Sequence, residues 1–134
     1  MTDPVELLRD LIRFDTTNPP GNEEACVAHI ETLLREHGIE VIPVNPEIES
    51  FLPSVSSLTQ RVDILDVFRR AENVDAHVDE ILAMPAALRP PVVWLQTGII
   101  NARAAARLEA AGIRVVMDEC LGVWAARLRP RSHA

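Results

Sequence analysis

From residue 41 onward the chain alternates short apolar, β-branched runs with stretches of helical periodicity, and polar or turn-forming residues close each run. Val41-Ile42-Pro43-Val44 leads into Asn45-Pro46, and Val62-Asp63-Ile64-Leu65-Asp66-Val67 into Phe68-Arg69-Arg70. Val92-Val93-Trp94-Leu95-Gln96 leads into Thr97-Gly98, and Ile113-Arg114-Val115-Val116-Met117 into Asp118-Glu119-Cys120. Between the runs, Asn73 or Asp75 is expected to cap a helix whose buried face is Val74, Val78, Ile81 and Leu82. Asn101 is expected to cap an Ala-rich helix to Ala111, and Gly112 stands where a helix ends in the left-handed conformation. Strands alternating with helices predict an α/β fold with a parallel sheet and right-handed crossovers. Ligands of such sheets bind beyond the carboxyl ends of the strands, so the closing residues are the candidate contacts.

The front of the chain reads differently. Pro4 to Phe14 has helical spacing, with Val5, Leu8, Leu11 and Ile12 on one side. The paired prolines in Asp15–Asn22 bar regular structure and predict a loop. A second helix is expected from Glu23 to His37, with Cys26, Ile30, Leu33 and Leu34 as its apolar stripe and Gly38 closing it. Four strands follow from the apolar runs. A fifth would have to come from Leu11–Phe14, against the stronger helical reading of that segment.

A chain of 134 residues is expected to form one domain, and 48% apolar with 25% charged residues is ordinary for a soluble globular protein. No apolar run approaches the roughly 20 residues that span a bilayer. Met1-Thr2-Asp3-Pro4 lacks the pattern of a secretion signal, which makes the cytoplasm the expected address. A net charge of −7 argues against nucleic acid as the main partner, because phosphate neutralisation needs a surplus of cations. All 13 basic residues are Arg, so a local Arg pair remains able to hold a phosphorylated small molecule. Cys26 and Cys120 are distant in sequence and have no clustered His, which argues against a zinc site or a catalytic thiol.

The segment from Val41 to Leu128 resembles the bacterial CoA-binding protein family. Its members are Rossmann-like and related to the nucleotide-binding domain of succinyl-CoA synthetase. The likeness is carried by the four runs quoted above with their closing residues. It implies a three-layer α/β/α fold with a mostly parallel sheet of four to five strands, and coenzyme A or an acyl-CoA as ligand. Where the family pattern has Asp-Arg-Cys, this chain has Asp118-Glu119-Cys120, an anion in place of a cation. The first forty residues, through Leu11-Ile12-Arg13-Phe14-Asp15-Thr16-Thr17-Asn18-Pro19-Pro20-Gly21, are instead similar to the N-terminus of zinc-dependent aminoacylase and acetylornithine-deacetylase type peptidases. The metal ligands of those enzymes lie downstream, and no His-x-Asp follows here. The juxtaposition suggests a chimera, in which Leu11–Phe14 would replace the central strand and Asp15–Asn22 the phosphate loop.

Each candidate contact has a structural alternative. Thr16, Thr17 and Asn18 would supply a phosphate loop, although Pro19 and Pro20 lack N–H donors, and the same residues suit a simple turn. Asn45 and Pro46 lie, by the resemblance, beside the nucleotide portion of CoA, and equally form a turn. Arg69 offers a planar fork for a phosphate and Phe68 a cover for adenine or the pantetheine arm, with Arg70 the weaker cation. Gln96 could bond a polar ligand group and Gly98 allow close backbone approach, or both could serve a strand-to-loop turn. The expected activity is binding without catalysis; the alternatives are a chimera that has lost its ligand and, remotely, a fragment of a zinc-dependent amidohydrolase. An uncovered sheet edge is expected to favour a homodimer.

Overall fold

The central strand of the sheet is β2, Val92–Leu95, and it pairs in parallel with β1, Ile64–Val67, on one side and β3, Arg114–Val116, on the other. In this computed structural model the described residues are 4–13 and 24–127. The register sets Asp66 opposite Trp94 and Val67 opposite Leu95, with Val93 opposite Val115. Val93, Trp94 and Leu95 are all buried, as a continuous apolar run in a parallel sheet requires.

Helix α3, Val74–Ala83, links β1 to β2, and α4, Ala102–Ala110, links β2 to β3. The strands follow chain order and the two helices touch, so both crossovers lie on one face of the sheet. Val74, Val78 and Ile81 of α3 and Ala104 and Leu108 of α4 supply the buried stripes, and the i, i+3, i+4 and i+7 spacing brings each set onto one side. Burying a side chain such as Ile81 or Leu108 contributes about 1.5–3 kcal/mol.

The helix ends are fixed by named groups. Asn101 Oδ1 accepts from Ala104 N–H at 3.0 Å, a side-chain cap at the start of α4. Gly112, at φ +82°, turns the chain into β3 and Ile113 N–H returns to the Leu108 carbonyl at 3.1 Å. Arg89 donates to the Leu82 and Met84 carbonyls at 2.6 and 3.1 Å, satisfying acceptors at the end of α3. Asn73 precedes α3, but its side chain makes no cap bond, because a 3-10 turn over Ala71–Asn73 already runs into the helix. A last helix, α5, spans Leu121–Arg127.

The chain divides into two compact units, Met1–Ser57 and Leu58–Ala134, and the sheet belongs wholly to the second. The first contains α1, Pro4–Ile12, and α2, Glu24–Glu36. Two sequence expectations are corrected here. Leu11 and Ile12 are helical, as the spacing of Val5, Leu8 and Ile12 predicts, so they do not replace a central strand of the sheet as the chimera reading required. Phe14, which completes the Leu11–Phe14 segment, lies outside the described residues. Val41–Val44 forms no strand either. Only an isolated parallel bridge joins Val44 to Leu52, with Leu52 N–H on the Pro43 carbonyl and Asn45 N–H on the Leu52 carbonyl. Pro43 has no N–H to extend that bridge into a ladder. The described residues therefore carry three strands, against the four to five expected. None of their helices is long and apolar enough to cross a membrane.

Candidate functional site

At the carboxyl ends of the strands, an open groove of about 510 Å3 is lined by Phe68, Arg69, Arg70, Gln96, Thr97, Ile99 and Cys120. These residues follow β1, β2 and β3 respectively, so the strand-end rule locates the groove. Phe68 leaves 73% of its surface exposed, a large apolar ring held in water in a groove that Arg69 and Arg70 also line. An exposed aromatic next to a cation pair suits a ligand that carries both a flat or apolar portion and an anionic one.

The loop after β2 is built by backbone geometry. Ile99 N–H returns to the Gln96 carbonyl at 2.9 Å, closing a turn whose residue Gly98 has φ +83°. Gly98 N–H donates to Asp118 Oδ1 at 2.7 Å, which ties this loop to the one after β3. Asp118 itself sits at φ +60°, a conformation that Asp tolerates through local hydrogen bonding.

Three acidic residues near the groove are each engaged by a donor. Gln96 Nε2 donates to Asp66 Oδ1 at 2.7 Å, and Gln96 Oε1 accepts from Leu121 N–H at 3.4 Å. Burial pushes the Asp66 carboxyl above the usual carboxylate range, and the Gln96 bond partly opposes the shift. Glu119 accepts at Oε2 from Trp124 Nε1 at 3.1 Å. Its backbone carbonyl accepts from Trp94 Nε1 at 2.8 Å. The third is Asp118, already bound to Gly98.

Of the residues proposed from sequence, Phe68, Arg69 and Gln96 converge on the groove. Gly98 shapes its rim through the bond to Asp118. Asn45 and Pro46 lie in the first unit, where Asn45 Oδ1 accepts from Glu47 N–H at 3.0 Å, the bond of an Asx turn. Thr16, Thr17 and Asn18 lie outside the described residues. Thr97, one of the closing residues, lines the groove although the sequence assigns it no specific role, and Ile99 is missed from sequence although its place just after the strand end could have nominated it. Cys120, a closing residue of the last strand run, lines the same groove. Among the described residues, no group of three or more His, Cys, Asp or Glu is placed to hold a metal ion.

A parallel α/β sheet with a basic, aromatic groove at its carboxyl edge defines a Rossmann-like binding fold. The sequence matches the model of the CoA binding domain family over residues 21–126, and the chain belongs to that family. The match begins 20 residues ahead of the resemblance drawn from the strand motifs, which opened at Val41. Bacillus subtilis YneT, an uncharacterized protein, is 37% identical over 99 residues, 70% of each chain. Among solved structures, the Thermus thermophilus protein cell-free ID.343 is 33% identical, with a TM-score of 0.66 over 96% of this chain and 100% of that one. A hypothetical protein from Pyrococcus horikoshii shares the fold at 24% identity, with a TM-score of 0.63 over 95% of this chain and 92% of that one.

Proposed function

We propose that this protein binds coenzyme A or an acyl-CoA in the groove at the carboxyl edge of the sheet and carries out no chemistry on it. The reading rests on one observation: Phe68, Arg69 and Arg70 share a groove with the turn after β2 at the strand ends. Arg69 and Arg70 are the cations for ligand phosphates, and Phe68 covers adenine or the pantetheine arm. The groove volume falls within the ~300–1,000 Å3 of small-molecule sites. Asp66, Asp118 and Glu119 already accept protein donors, which moderates their repulsion of an incoming anion. Gln96, engaged at both ends of its amide, shapes the groove floor rather than serving as its main polar contact. A cytoplasmic location accords with a coenzyme of intracellular metabolism.

Calorimetric titration with CoA tests this. Saturable one-to-one binding is expected, with Arg69→Ala weaker by about 10- to 100-fold, the value of one charge-assisted contact. Absence of binding by the wild-type protein at millimolar CoA would refute the reading.

A further inference from the structure

We infer that His77 is a positioning residue, which holds the Arg69 guanidinium so that its terminal nitrogens face a ligand phosphate. This rests on the reading above that Arg69 meets a phosphate. Arg69 is an exposed side chain on the loop after β1, whereas His77 belongs to α3, which is anchored by the buried Val74, Val78 and Ile81. Arg69 Nε–H donates to His77 Nε2 at 3.3 Å. Nε2 is then an acceptor and carries no proton, so the ring hydrogen is on Nδ1. That atom lies 3.2 Å from Glu80 Oε1, the acceptor for it. The side chains of His77 and Glu80 are only 23% and 29% exposed. The order Glu80, His77, Arg69 thus runs from the helix to the edge of the groove.

The chemistry of the guanidinium gives this chain of bonds its consequence. An arginine can grip a phosphate side-on, through Nε and one terminal nitrogen, or end-on, through both terminal nitrogens. With Nε–H committed to His77, the end-on fork is the one presented. A long side chain tethered at Nε also has less rotamer freedom to lose when the ligand arrives. His77 therefore acts on the phosphate-bearing part of the ligand alone.

Two measurements test the inference. In the first, CoA and pantetheine, which lacks phosphate, are titrated into wild type, His77→Leu and His77→Gln. His77→Leu should weaken CoA about two- to tenfold, the cost of immobilising one rotamer-rich side chain, and leave pantetheine unchanged. His77→Gln, whose carbonyl can accept the Arg69 Nε–H, should recover part of the loss. Equal weakening of both ligands, or no weakening of CoA, overturns the inference, while failure of wild type to bind CoA overturns the reading beneath it as well. The second measurement needs no ligand. In 15N spectra of the free protein, His77 Nε2 should resonate as an unprotonated acceptor nitrogen. A proton on Nε2 contradicts the arrangement whether or not CoA binds.

Discussion

Gln96 and Asp66 are joined side chain to side chain across neighbouring parallel strands, Nε2 donating to Oδ1 at 2.7 Å. Burial raises the Asp66 carboxyl above its ordinary range despite that bond. In the window just above the ordinary range, the native state holds a proton that the unfolded chain has lost. Stability therefore falls as pH rises through the window, and the ionised carboxylate is a net cost at neutral pH. Asp66→Asn keeps an acceptor for Gln96 and removes the charge. It should raise Tm at pH 7 by a few degrees at most, an advantage that shrinks as the pH is lowered through the window. Melting curves followed by circular dichroism across that range check the sign; a variant less stable at pH 7 contradicts it.

Removing the other partner has the opposite effect. Gln96→Leu leaves the Asp66 carboxylate and the Leu121 N–H without their bonds to the amide. A cost of about 1–3 kcal/mol is expected, read as a lower urea midpoint with an unchanged slope.

Asn101 gathers more contacts than a helix cap requires. Besides capping α4, its Nδ2 donates to the Ala71 carbonyl at 3.1 Å and to Asp75 Oδ2 at 3.0 Å. Asn101→Ala should cost about 1–2 kcal/mol in chemical denaturation. Asn101→Asp keeps the cap acceptor but sets a second carboxylate against Asp75, so it should recover little of that loss. Full recovery by Asp would show that the cap alone matters.

Phe68 separates binding from stability. With 73% of its surface exposed it contributes little to folding, and Phe68→Ala should shift unfolding by no more than about 0.5 kcal/mol. Affinity for CoA should fall by about 5- to 100-fold, the range for losing an aromatic stacking surface. A variant that binds CoA as well as wild type would remove Phe68 from the site.

Much of the second unit is legible in the residues themselves. Val92–Leu95 reads as an interior strand because an unbroken apolar run is buried on both faces, and Asn101 and Gly112 mark the limits of α4 by their own chemistry. The polar residues after those strands then converge because parallel strands end on one edge, which is how Phe68, Arg69 and Gln96 came to light. What the linear pattern lacks is pairing at a distance. Asp66 meets Gln96, and Gly98 meets Asp118, only through strand register and loop geometry. His77 reaches Arg69 because a 3-10 turn feeds directly into α3 and sets the helix phase. Val41–Val44 misleads because β-branched content signals extended backbone without supplying the donor that Pro43 lacks.

The groove assignment is most directly tested by backbone amide shifts in a 15N-labelled protein titrated with CoA. The largest changes are expected at Phe68, Arg69, Arg70, Thr97, Gly98, Ile99 and Cys120. Changes centred instead on Glu109 and Gly112–Val116, along the edge strand β3 and the turn before it, or none at saturating CoA, would contradict the account.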